Sequence, residues 1–159
     1  PLNWYSLFII TCVLLIKGDD KMALINYSNI GKTPFQQLLG HNENILKSWN
    51  DLANLLSDDG ALSKELKEEL RRILAQENGC LYCKAKGSPS NEYQDEKSLL
   101  CTGFVEVYLK TKENVPESTI QLLKDVMTNK EIIELITFTL FTTAQQHLGA
   151  ILKLSSETN

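Results

Sequence analysis

Apolar positions fall at helical spacing along most of this chain. Ile45, Leu46, Trp49, Leu52, Ala53 and Leu56 mark one face of a helix from about Glu43 to Leu56. Asp58-Asp59-Gly60 reads as a turn, and Ser63 as the N-cap of a helix reaching about Gln76. Leu62, Leu66, Leu70 and Ile73 form its main stripe. Asn78-Gly79 ends it, glycine being suited to the left-handed cap. Upstream, Pro34 opens a short amphipathic turn, Phe35-Gln36-Gln37-Leu38-Leu39, closed by Gly40. Downstream, Gly87-Ser88-Pro89-Ser90-Asn91 is a polar loop. A helix from about Gln94 to Lys110 follows, with Leu100, Phe104, Val107 and Tyr108 inward. Pro116 starts another, ending near Thr128.

Thr128 and Glu131 form a capping box, which opens a last helix reaching about Leu154. That helix is apolar nearly all round from Ile132 to Leu140, which implies burial on several sides. It suits the centre of the fold or a subunit interface. Ile133, Ile136, Leu140 and Ala144 share one stripe with His147 and Ile151, and the first four are expected to be inaccessible in an oligomer. No run alternates at period two, so the chain reads as all-α, a single-domain helical bundle.

The first residues need separate treatment. Residues 7–16, LFIITCVLLI, are apolar but too few to span a bilayer as a helix, which takes about 20 residues. No Lys or Arg precedes the run and no small-residue cleavage site follows it. Met22 opens a stretch like an ordinary soluble N-terminus. Residues 1–21 are therefore expected to be upstream or signal-like sequence, or an extra helix, and residues 22–159 the domain. With 159 residues and 43% hydrophobic content, the chain is long and apolar enough for one globular domain. The net charge of −4 is spread along helix faces, with no basic cluster. That argues against nucleic acid and anionic membrane as partners.

The candidate chemistry lies in Asn78-Gly79-Cys80-Leu81-Tyr82-Cys83. Two thiols three residues apart can close a disulfide within one helical turn, which requires Cα atoms within about 7 Å. At the start of a new helix, unpaired N–H groups and the dipole stabilise a thiolate, the form that attacks peroxides and disulfides. The pair also reads as half a zinc site, although Cys12, Cys101, His41 and His147 lack the spacing to complete one. A thioredoxin-like motif wants a preceding strand, and none is evident. The plainest alternative is two ordinary half-buried cysteines. No metal and no cofactor are expected.

Phe35-Gln36-Gln37-Leu38-Leu39, the helix from Leu62-Ser63 through Glu68-Glu69-Leu70, Asn78-Gly79-Cys80-Leu81-Tyr82-Cys83 and Glu131-Ile132-Ile133-Glu134-Leu135 occur in that order. Together they resemble the carboxymuconolactone decarboxylase family, in its alkylhydroperoxidase D-like branch, over about residues 32–154. The resemblance implies an all-helical, oligomeric protein: trimer, hexamer or dimer. It implies hydroperoxide as substrate and an external dithiol as electron donor. It makes Cys83 the attacking thiol and Cys80 the resolving one. The branch carries a Glu twelve residues before the first Cys, which is Glu68 here, within a proton relay. It also carries a His four residues after the second Cys, where this chain has Gly87. The decarboxylase chemistry of the family's name is remote, since that branch generally lacks the cysteine pair.

A helical wheel places Glu69 at the edge of the leucine stripe and Glu68 nearly opposite, with Ala61 and Ala75. Glu68 is preferred because the resemblance fixes the spacing. It can act only if the cysteine helix or another subunit covers that small-residue face. His147, on an apolar stripe, reads as a packed residue before it reads as a replacement relay. Lys84 and Lys86 read as solvated, with thiolate stabilisation as the functional alternative, and Tyr82 as a packing residue. The leading expectation is a cytoplasmic thiol-dependent oxidoreductase that reduces peroxides. The alternative is a non-catalytic or redox-sensing helical oligomer.

Overall fold

Side-chain caps divide the chain into its helices. The computed structural model describes residues 23–156, apart from Asn91 and Tyr93. The apolar run at 7–16, Cys12 and the boundary drawn at 21 and 22 lie outside the described residues. Thr33 caps α1, Pro34–Leu39, and Asn42 caps α2, Glu43–Ser57. Ser63 caps α3, Lys64–Glu77, by accepting from the Leu66 N–H. Cys80 caps the single-turn α4, Leu81–Lys84. Asp95 caps α5, Glu96–Thr111, and Pro116 precedes α6, Glu117–Val126. Thr128 and Glu131 form the full capping box of α7, Asn129–Ile151. The described residues contain these seven helices and no strand, so the fold is all-α.

α3 runs through the middle, with α5 and α7 against it and α4 wedged between α3 and α7. Leu66, Leu70 and Leu74 of α3 meet Cys101, Phe104, Val105 and Tyr108 of α5 and Ile132, Leu135 and Phe138 of α7. A second, smaller cluster joins Ala75, Cys80, Tyr82 and Cys83 to Ala23, Phe35, Leu38 and Leu154. The first and last described stretches meet at this cluster: the Leu24 N–H donates to the Leu152 carbonyl at 2.7 Å.

One expected inward face differs from the structure, and a second, expected to be covered in an oligomer, is largely open in the single chain. In α5, Cys101 and Val105 are fully buried while Leu100 and Val107 are only partly so. In α7 the buried side is Ile132, Leu135, Phe138, Thr139, Thr142, Thr143, Gln146 and Gly149. Within the single chain Ile136 packs against the main cluster, whereas Ile133 and Leu140 are 64% and 49% exposed, and Ala144 and His147 face outward with them. The more polar side turns inward because its polar groups find partners. Thr139 Oγ1 donates to the Leu135 carbonyl, and Gln146 bonds across to α3. α7 also ends at Ile151 rather than Leu154.

Two ion pairs clamp α7. Glu134 pairs with the buried Lys67 and accepts from the Ala61 and Leu62 N–H groups at 2.8 and 3.2 Å. Lys67 Nζ also donates to the Asp58 carbonyl. Glu131 pairs with Lys97 of α5 and accepts from the Thr128 N–H and hydroxyl. The Lys97 bond, then the Thr128 donors, hold the Glu131 carboxyl down at about 2 against its ordinary 4.5. A carboxyl that resists protonation when folded stabilises the ionised fold. The contribution is complete above about 4.5 and disappears as pH falls towards about 2. The melting temperature is therefore expected to fall between pH 5 and pH 3, and to fall less in Glu131→Gln. Parallel melting curves for parent and variant across that range would contradict it.

Candidate functional site

Asn78 and Gly79, the latter at φ 75, turn the chain out of α3 so that α4 folds back on it. Asn78 is buried and bonds the Gln146 Oε1 through its Nδ2 at 2.8 Å. Gln146 Nε2 donates in turn to the Arg71 carbonyl at 3.0 Å, which ties the turn to both α7 and α3.

Cys80 and Cys83 are joined by a disulfide, with Cα atoms 5.2 Å apart, within the range the spacing predicts. Cys80 Sγ accepts from the Cys83 N–H at 3.2 Å and so serves as the cap of α4. Both residues are buried, Cys80 at 1% exposure and Cys83 at 6%. Cys83 lines a cavity of about 190 Å³, and Cys80 does not.

Glu68 lines the same cavity. The cysteine turn covers the small-residue side of α3, where Ala75 is buried, which is the condition the helical wheel set for Glu68. The Glu68 carboxylate accepts from Arg71 Nε and Nη2 at 2.7 and 2.8 Å, and from Arg72 Nε at 2.9 Å. Arg71 Nη1 reaches on to the Cys83 carbonyl at 2.9 Å. One guanidinium therefore links the carboxylate to the cysteine turn. Partial burial pushes the Glu68 carboxyl up, but the bonds from Arg71 and Arg72 outweigh it and leave the group below its ordinary range. At neutral pH Glu68 is ionised.

Glu69 has a different task. It is buried, and accepts from the Ser90 N–H and hydroxyl at 2.8 and 3.1 Å, anchoring the loop after α4. α4 stops at Lys84, and Gly87 sits at φ 132. A Cβ there would meet Arg72 Nε at 3.3 Å, so a histidine at Gly87 is strained by its own backbone. His147 lies on the outward face of α7 and does not line the cavity. Lys86 does, with its Nζ 4.4 Å from the centre of the buried Tyr82 ring. Lys84 does not.

The remaining described thiol, Cys101, is buried in the larger cluster against Met127. Burial pushes it up to about 12, which leaves it protonated and inert. Among the described residues, no three His, Cys, Asp or Glu side chains gather at one point.

The sequence reading missed Arg71, Gln146 and Gly149. Arg71 and Arg72 stand three and four residues after Glu68, the spacing of helical ion pairs, so that signal was present. Gln146 and Gly149 carry none, because their value depends on what α7 crosses. A Cβ at Gly149 would lie 2.7 Å from Cys80 Sγ, so only glycine lets α7 pass this close to the disulfide. No family model matches the chain, and no curated protein matches it.

Proposed function

We propose that this protein is a thiol-dependent oxidoreductase that reduces hydroperoxides through Cys83 and Cys80. One observation carries the reading: a disulfide of which one residue, Cys83, lines a cavity shared with an ionised, arginine-held Glu68. The resemblance to the alkylhydroperoxidase D-like branch supports it and supplies the direction. In the reduced protein Glu68, together with solvent in the cavity, relays the Cys83 proton outward. The thiolate attacks the terminal oxygen of the hydroperoxide, forming an S–O bond as the O–O bond breaks. The leaving alkoxide collects a proton from solvent at the cavity mouth. The Cys80 thiol then condenses with the Cys83 sulfenic acid, giving the disulfide and water. An external dithiol returns two electrons and two protons by exchange. The cytoplasm, where dithiols are kept reduced, suits that last step.

The same reading takes the protein as a homo-oligomer. Ile133, Leu140 and Ile151 of α7 are exposed along one stripe with no charged side chain between them, the kind of face that subunits cover.

The test is stoichiometric. The fully reduced chain, mixed with one equivalent of an organic hydroperoxide, is expected to lose two thiols and yield one alcohol, and excess dithiol should restore both thiols. Thiols that persist through many equivalents of peroxide would leave a stable, non-catalytic helical protein instead.

A further inference from the structure

The cavity that Cys83 lines has an uneven charge. Its wall carries four cations, Lys64, Lys67, Arg71 and Lys86, against one carboxylate, Glu68. Two of the four are committed: Lys67 to Glu134 and Arg71 to Glu68. Lys64 and Lys86 have no carboxylate partner among the described residues, and both are exposed at the mouth. Arg72 adds a second positive charge against Glu68, so the carboxylate does not cancel the surplus. The wall also carries the buried Leu56 and Phe138 and the partly buried Phe141. The space, about 190 Å³, equals that of roughly six waters, more than hydrogen peroxide needs.

The geometry points to an organic hydroperoxide with an apolar body and an anionic head group as the substrate class. This inference rests on the peroxide-reducing reading above and extends it. The peroxide oxygen meets Cys83, the body lies against Phe138 and Phe141, and the head group stays at the mouth between Lys64 and Lys86. Holding the head outward keeps its charge hydrated, so no unpaired anion is buried. A mixed wall of this kind, apolar with a few convergent charges, is how small-molecule sites fix orientation. The electron balance is unchanged: the hydroperoxide is reduced to its alcohol while the two thiols become the disulfide.

The experiment compares a hydroperoxide of octanoic acid with its methyl ester, each against the fully reduced chain at neutral pH. Loss of thiols is followed in a single turnover, without added dithiol. The acid is expected to react about tenfold faster than the ester at low salt, the size expected of two exposed point charges. Added salt should bring the ratio towards one. In the Lys64→Gln/Lys86→Gln protein the acid should lose its advantage over the ester. The wild-type ratio and its salt dependence stand even if that variant folds poorly. Equal rates for acid and ester, both oxidising the pair, would overturn head-group recognition and leave peroxide reduction intact. If neither peroxide oxidises the pair, both readings fall together.

Discussion

Cys83→Ser is expected to abolish dithiol-dependent peroxide consumption, leaving only the rate of peroxide with the free dithiol. Serine keeps the size of the side chain but loses the thiolate, and a hydroxyl does not attack a peroxide oxygen at neutral pH. Cys80→Ser should behave differently. Its Cys83 still reacts, but no second thiol condenses with the product. Without added dithiol, which would itself reduce the product, the expected result is one rapid turnover per chain, followed by a sulfenic acid that a carbon nucleophile such as dimedone can trap. The assignment follows from access, because Cys83 opens on the cavity while Cys80 lies beneath α7. A Cys83→Ser protein that consumes peroxide at the parental rate would sink the thiol mechanism. Single-turnover behaviour in Cys83→Ser rather than Cys80→Ser would exchange the two roles.

What the sequence revealed of this fold was local. The Ser63 cap, the Thr128–Glu131 box and the left-handed Gly79 each depend on residues within a few positions, and each stands where the pattern put it. Face assignment within the single chain is ambiguous where a helix is apolar on more than one side. α7 presents Ile133 and Leu140 outward and Thr139, Thr142 and Gln146 inward. Hydrophobicity alone prefers the reverse, and only the partners waiting on α3 and in the Asn78 turn decide it. α5 hid Cys101 and Val105 for the same reason, since Leu99, Leu100 and Val107 compete with them for the core. At the site, the cysteine spacing was legible, and Glu68 lines the same cavity as Cys83. The role of Arg71 depended on where α4 folds back, which no spacing along α3 records.

The contact between Gly149 and Cys80 makes the redox balance of the pair sensitive to a single methyl group. A Cβ at position 149 would lie 2.7 Å from Cys80 Sγ and 3.9 Å from Cys83 Sγ, and real Cβ contacts essentially never fall below 3.0 Å. In the disulfide, Cys80 Sγ cannot yield, because it is bonded to Cys83 and buried under α7. In the dithiol, Cys80 is free to take another staggered χ1 and move its sulfur away. Gly149→Ala should therefore penalise the oxidised form more than the reduced one. Overpacking a core by a methyl group typically costs about 1–3 kcal/mol. If about 1.4 kcal/mol of that falls on the disulfide alone, the reduction potential rises by about 30 mV, a tenfold shift in exchange equilibrium. Equilibration of parent and Gly149→Ala in graded dithiol–disulfide buffers measures this directly, and the variant is expected to stay reduced under conditions that oxidise the parent. Melting of the reduced proteins provides the control, and the two curves should nearly coincide. An unchanged potential together with a lowered melting temperature in both redox states would mean that α7 moves as a whole, and that Gly149 packs the helix without tuning the pair.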